Sequence, residues 1–245
     1  MKNIIIFGAT GAIGRSIAHQ LHSEGASLFL AARDDEECAT LAAQLGARHG
    51  HFSASDEASI SAIVAKAQQE GPITGLIWAV GSILLKPLAK LTANDFDATF
   101  QVNVTSAALA IQAAAPSLKQ AQGSVLLFSS VAASQGFTNH AAIGAAKAGV
   151  EGLAKALAAE FSPDVRVNVI APSLSLSKMA EPLLANDAMA KGLAQMHPLG
   201  RLGRPDDFSA LVSLLLDAEK SGWITGTVLA VDGGRGSLAV NARSR

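Results

Sequence analysis

Residues 3–21 read NIIIFGATGAIGRSIAHQL. Asn3–Phe7 is an apolar run suited to a buried strand, and Ile13, Ile17 and Leu21 follow at helical spacing. Between the two stand Gly8, Gly11 and Gly14. Bare backbone at a strand-to-helix turn lets a diphosphate come close and lie at the positive end of the helix. The stretch therefore predicts a nucleotide loop built by Gly8, Thr10, Gly11, Ile13 and Gly14. A tight turn without a ligand uses glycines in the same way, so the reading leans on strand, loop and helix arriving in that order.

The alternation continues outward. Short runs rich in Ile, Leu, Val or Phe at Ser27–Ala32, Gly75–Val80, Gly123–Ser129, Val165–Ile170 and Thr227–Val231 read as buried strands, and a weaker one at Arg48–Phe52 would make seven. Longer amphipathic segments separate them, for example Ala146, Val150, Leu153, Ala154, Leu157 and Phe161. Strands alternating with helices imply parallel pairing, so the expected fold class is α/β: a Rossmann-type doubly wound parallel sheet with helices on both faces. No linker interrupts residues 1–245, which predicts one domain. Residues 174–198, LSLSKMAEPLLANDAMAKGLAQMHP, break the pattern with Met179, Met189 and Met196 among polar residues. They read as a helical flap over a substrate pocket or as a plain surface helix pair.

Composition narrows the partners. Hydrophobic residues make up 49% and charged residues 16%, enough for a large core, yet no apolar run approaches a membrane span. Nineteen Lys+Arg against twenty Asp+Glu leave a net charge of -1, and the basic residues are scattered, so nucleic acid is not expected as a partner. No metal site is expected. Cys38 is the only cysteine and cannot form an intrachain disulfide, and Gly8 and Gly11 interrupt the N-terminal apolar run before it reaches the length of a signal-peptide core. A cytoplasmic location is the default expectation.

The second strand ends LFLAARDD, residues 28–35. An acidic residue at that tip would hold the ribose hydroxyls of NAD; here Ala32 is followed by Arg33. A guanidinium suits a 2′-phosphate, which favours NADP(H) over NAD(H), although a solvated arginine is the bland alternative.

Further landmarks come in order: QVNV with Asn103, FSSVAA with Ser130, AAKAGVEGLAKALAAE with Lys147, RVNVIAPS with Asn168 and Pro172, then PLGRLGRPDD and TGTVLAVDGG. With the glycine loop they make nearly the whole chain resemble the short-chain dehydrogenase/reductases in their short form. The resemblance implies hydride transfer between nicotinamide C4 and a carbonyl or alcohol carbon. It implies, too, a tyrosine as proton partner of the oxygen, a lysine four residues later on the same helix face, a serine holding the substrate oxygen, and an asparagine supporting a water chain. Ser130, Lys147 and Asn103 match three of these places. The tyrosine's place is Ile143, and the chain has no tyrosine at all. By the same resemblance Lys147 also bonds the nicotinamide ribose, a role that needs no tyrosine.

Other departures are as informative. Ala12 stands where the usual middle glycine falls, with Gly11 one place earlier. The asparagine-rich motif after the fourth strand is WAVG, residues 78–81, leaving the small Ala79 and Gly81 to let the cofactor ribose pass. Ser53 replaces an aspartate near the adenine, Pro172–Ser173 replaces Pro-Gly, and Ser177 stands where a threonine meets the nicotinamide amide. His140 is a candidate substitute acid if the helix begins near Asn139, a solvated helix-start histidine being the alternative. Trp78, Ile143 and Leu174 suggest an apolar pocket for a hydrophobic small molecule, or simply packing. The expected function is an NADP(H)-dependent oxidoreductase with a non-standard proton donor; the alternatives are a catalytically silent NADP(H)-binding or regulatory homologue and, behind both, a lyase or isomerase. The Ala-rich helices at 104–115 and 146–160 would, by resemblance, pair with copies of themselves in a homodimer or homotetramer.

Overall fold

The computed structural model describes residues 2–178, 180–181 and 186–240. Seven strands, β1 (Asn3–Phe7), β2 (Ser27–Ala32), β3 (Arg48–His51), β4 (Gly75–Trp78), β5 (Ser124–Phe128), β6 (Arg166–Pro172) and β7 (Val228–Val231), form one parallel sheet in the order β3-β2-β1-β4-β5-β6-β7. The chain leaves β1 towards β2 on one side and returns beside it as β4 on the other. That reversal opens a crevice at the carboxyl ends of β1 and β4, the place where ligands bind in doubly wound sheets.

Residues alternate across each strand and build two cores. Ile5, Phe7, Leu76, Trp78, Val125, Leu127, Val167 and Val169 face α3 (Glu57–Ala67), α5 (Ser106–Gln120) and α6 (Ala141–Phe161). Ile4, Ile6, Leu28, Leu30, Ile77, Leu126 and Ile170 face α1 (Ala12–Ser23), α2 (Asp35–Leu45) and α8 (Asp206–Leu216). Every residue of β1, β4 and β5 is buried, as near-continuous apolar runs in a two-faced parallel sheet should be. The run at 227–231 differs from its expectation. β7 lies at the sheet edge and is only half-buried, because it has one neighbour strand and thinner cover. Trp78, read as a possible pocket wall, is core instead: its ring centroid lies 5.0 Å from Phe7 and 5.9 Å from Phe52 beneath the sheet. Cys38 is inert, its buried thiol pushed up to about 11.

The flap region at 174–198 contains α7 (Asp187–Gln195), whose first turn is capped by Asn186 and whose side chains are all at least partly exposed. Met179 and residues 182–185 of that stretch lie outside the described residues. A helix-to-loop return then carries His197 back to the sheet. Two short helices, α4 (Ala93–Phe100) and α9 (Ala218–Ser221), complete the chain.

Tight backbone sets the glycine loop. Gly8 has φ +82°, and a Cβ there would stand 2.7 Å from the Ala79 carbonyl oxygen of β4's extension. At Gly14 a Cβ would run into the Gly8 carbonyl oxygen. Since that obstacle is backbone, Gly14→Ala is expected to cost about 3 kcal/mol in a urea titration and to weaken nucleotide binding as α1 tilts away.

Candidate active site

The site begins at the carboxyl end of the sheet. α2, α3 and α7 have their first turns capped by Asp34, Asp56 and Asn186, and α4 by Thr92. α1 does not, nor do α5, α6 and α8: Gly11 caps α1 without a side-chain bond, and no acidic residue lies in its first turn. Uncapped N–H groups and a positive helix end, set in the crevice beside β1, fit a diphosphate. Thr10 and Ile13 flank this turn and are half-buried, while Ala79 follows β4 with its N–H bonded to Phe7 O at 2.9 Å. Arg33 is exposed at the tip of β2. Close by, Arg15 of α1 pairs with Glu37 of α2 at 2.7 Å.

α6 brings the second half. The side chain of Lys147 is buried against β5, and its Nζ donates to Phe128 O at 2.9 Å. Burial lowers its ammonium from 10.5 to about 8. The same helix is tied to the strand by Ser129, whose hydroxyl reaches Lys147 O at 3.1 Å and Glu151 Oε1 at 2.8 Å. Asn103 sits in a π-helical turn, Gln101–Thr105, between α4 and α5. Such a widened turn re-aims one side chain and is a frequent feature of functional sites. Asn103 Nδ2 donates to Thr99 O at 2.9 Å and Ser82 Oγ at 3.1 Å, while its buried Oδ1 has no partner among the described residues.

Gly81 joins these groups. A Cβ on it would lie 3.2 Å from Asn103 Oδ1 and 3.3 Å from Lys147 Nζ. The missing side chain thus lets the backbone at Gly81 pass close to both a buried donor and an orphaned acceptor. These residues fit a ribose and nicotinamide approaching from the β1–β4 crevice.

Ser130 follows β5 in extended backbone, with its hydroxyl accepting Ala132 N–H at 3.2 Å at the start of a short helical turn. A Cβ at Gly144 would stand 3.0 Å from Ala132 O, so α6 packs closely at Gly144 against the turn that carries Ser130. Ile143 is 4% exposed. Pro172 ends β6, and Ser177 caps a turn by accepting Ala180 N–H at 3.2 Å. The structure therefore brings Ser130, Asn103, Lys147, Gly81 and Ile143 to one end of the sheet.

His140 stands at the start of α6. α6 begins at Ala141, with His140 as the cap residue and Asn139 at φ 65°. The ring turns back on the preceding loop: Nδ1 is 2.7 Å from Thr138 O, and the ring centroid is 5.2 Å from that of Phe137. Asn139 before it is left-handed, and the imidazole is held by the preceding loop and makes no capping bond to α6.

One polar pair escaped the sequence altogether. His197, 4% exposed, has Nδ1 at 2.9 Å from Leu193 O and Nε2 at 2.9 Å from Ser173 Oγ. The partners are 24 residues apart, so no local spacing could signal them; the only hint was a serine in place of glycine after Pro172.

No helix among the described residues is long and apolar enough to cross a membrane. Residues 8–235 match the family model described as enoyl-(acyl carrier protein) reductase. The chain is 36% identical to an uncharacterized oxidoreductase of Mycobacterium tuberculosis, over 95% of this chain and 90% of that protein. Among solved structures it resembles a short-chain dehydrogenase/reductase of the glucose/ribitol dehydrogenase type from Brucella melitensis, with TM-score 0.91 and 29% identity over 97% of both chains. It resembles likewise a gluconate 5-dehydrogenase from Burkholderia cenocepacia in complex with NADP and tartrate, with TM-score 0.91 and 26% identity over 97% of this chain and 96% of that one. By the extent of these matches and the sheet order that accompanies them, the chain belongs to the short-chain dehydrogenase/reductase superfamily of nicotinamide-dependent oxidoreductases.

Proposed function

We propose that the protein is an NADP(H)-dependent oxidoreductase acting on a small carbonyl or alcohol, with a proton donor other than tyrosine. The observation that carries this reading is Lys147: a buried ammonium with one acceptor among the described residues, close to the orphaned Asn103 Oδ1 beside Gly81. Burying a charge is costly, and a fold keeps one where a ligand or a proton path uses it. A bound nicotinamide supplies or accepts the hydride. The uncapped start of α1 holds the diphosphate with Gly8, Thr10, Gly11, Ile13 and Gly14 around it. Ala79 and Gly81 leave room for the ribose, whose hydroxyls Lys147 bonds. Pro172 and Ser177 border the nicotinamide, and Ser130 offers its hydroxyl to the substrate oxygen. With its ammonium lowered to about 8, Lys147 exchanges a proton near neutral pH, and Asn103 completes the path to solvent.

Arg33 is the residue expected to favour NADP(H). Titrating NADPH and NADH into purified protein tests this directly, and Arg33→Ala is expected to weaken NADPH binding by about tenfold while leaving NADH unchanged. If neither nucleotide binds, the oxidoreductase reading is wrong; if NADH binds as well as NADPH to the unaltered protein, only the cofactor preference is.

Ile143 favours a second reading, a silent NADP(H)-binding homologue. Its buried side chain can neither donate nor accept a proton at the tyrosine's place. NADPH-dependent turnover of any carbonyl, enone or imine that disappears in Lys147→Ala would remove this alternative. The exposed small residues Ala148, Gly152 and Ala156 along α6 support the homodimer or homotetramer, which sedimentation would check.

A further inference from the structure

We infer that Ser82 is a positioning residue for Lys147: its hydroxyl, together with the carbonyl of Thr99, locks the Asn103 carboxamide with Oδ1 on the lysine's side. The inference rests on the reductase reading above, in which Lys147 and Asn103 serve the proton path, and adds the residue that fixes one against the other.

A carboxamide has two ends of nearly equal shape and opposite chemistry, so its surroundings must choose between them. Thr99 O can only accept, and Asn103 Nδ2 donates to it at 2.9 Å. The second Nδ2 hydrogen goes to Ser82 Oγ at 3.1 Å. With both hydrogens engaged, Oδ1 is the end left over. It is buried, has no partner among the described residues, and lies 3.2 Å from the point beside Gly81 that is 3.3 Å from Lys147 Nζ. A half-turn of the amide would press Oδ1 against Thr99 O and bring two donors towards an ammonium that has only donors itself.

Thr99 alone leaves the amide free to pivot about one bond. Ser82 supplies the second anchor from a different segment, 21 residues away in the chain. It directly follows Gly81, so the stretch of backbone that passes close to Lys147 also carries the group that orients Asn103. Asn103 is 1% exposed, whereas Ser82 is half-buried and its hydroxyl hydrogen has no acceptor among the described residues. Ser82 is therefore the outer member of the set and the one that water reaches.

An acceptor beside a buried ammonium favours the charged form, while burial disfavours it. Holding Oδ1 in place thus strengthens proton binding at Lys147. Charged neighbours do not compete with this effect. β5, the Val131–Ala133 turn and the Gln101–Thr105 turn carry none. Asp95 of α4 is paired with Lys86 and Asp97 is exposed. Arg166 stands at the opposite end of β6, Glu151 accepts the Ser129 hydroxyl, and His140 is turned back on Thr138. Burial is the one cause of the lowered Lys147 ammonium.

The test reads Lys147 directly. In the nucleotide-free protein, carbon NMR of the lysine side chains is followed across pH, with the Lys147 signal assigned by its loss in Lys147→Met. Ser82→Ala should bind the Lys147 proton about three- to tenfold more weakly, the worth of one hydrogen bond, and Ser82→Thr should titrate as the unaltered protein does. Ser82→Cys keeps the shape with a weaker acceptor and should fall between them, which provides a second reading if the alanine variant folds poorly. A Lys147 titration that is the same in all four proteins would overturn the proposal. Turnover of the best carbonyl found, at saturating NADPH, should drop about tenfold in kcat in Ser82→Ala with KM and NADPH affinity nearly unchanged, and its decline with rising pH should begin at lower pH. A loss confined to KM, or an unmoved pH profile, would count against the positioning role. If the titration moves as expected but the unaltered protein reduces no carbonyl, the positioning of Lys147 stands and the reductase reading falls.

Discussion

Ile143→Tyr is expected to raise the turnover of simple carbonyl substrates by about 10²- to 10⁴-fold, the usual worth of a positioned acid–base group. Ile143 and Lys147 lie one turn apart on α6, and the Gly144–Ala132 approach holds that face of the helix against the Ser130 turn. A phenol at 143 would share a helix face with Lys147, four residues on, and stand beside the residue that packs on the Ser130 turn. The larger ring must be accommodated where a buried isoleucine sits, an overpacking cost of about 1–3 kcal/mol visible as a lower unfolding temperature. NADPH affinity should be nearly unaffected, because the nucleotide contacts proposed above, the glycine loop, Gly81 and Lys147, do not include residue 143. If the variant folds, binds NADPH and still gains nothing, the helix face at 143 does not meet the substrate, and the proposed placement of Ser130 and Lys147 around a carbonyl is wrong.

Lys147→Met should abolish turnover and yet make the nucleotide-free protein more stable at neutral pH. The enclosed ammonium is lowered from 10.5 to about 8 by burial. Below pH 8 the lysine is protonated in both folded and unfolded chains, and the folded state bears the full penalty of about 3 kcal/mol. Between pH 8 and 10.5 the unfolded chain holds the proton that the folded chain has shed, so the unaltered protein gains stability as pH rises through that window. Methionine fills nearly the same space and does not titrate. Losing the bond to Phe128 O returns about 1 kcal/mol, which leaves the variant ahead by about 2 kcal/mol at pH 7. Urea titrations at several pH values should show this advantage shrinking by about 3 kcal/mol between pH 8 and 10.5. A pH-independent difference would mean that Lys147 is solvated in the folded protein, and the enclosed-ammonium account of the site would fail.

Both expectations put function and stability in opposition at one helix. The fold tolerates a costly ammonium and an orphaned amide oxygen where a cofactor ribose and a proton path would use them.

Much of this was legible in the chain. Runs such as Asn3–Phe7 and Gly123–Ser129 are apolar at every position because both faces of a parallel sheet are covered, and that pattern needs no knowledge of the partner strands. Gly8 and Gly14 announced the loop because a positive φ and a backbone contact exclude side chains there, whatever lies further away. Lys147, Ser130 and Asn103 were found through ordered landmarks, and the absent tyrosine through composition alone. Edge position was not legible: 227–231 has the residues of a core strand, and only the sheet order makes it the last strand. Trp78 could have faced a pocket or the core, since a strand residue's environment depends on which helices cover that face.

Sequence by itself determined the strand–helix alternation, the glycine loop and the loss of the tyrosine hydroxyl, because these follow from local periodicity and residue chemistry. Tertiary structure alone decided three things. It turned the His140 ring back onto Thr138 and Phe137, it brought Asn103 and Lys147 together beside Gly81, and it joined Ser173 to His197 across two elements. A hydrogen bond requires about 3 Å between atoms whatever their separation along the chain, and only the packing of α7's return against the end of β6 supplies that proximity.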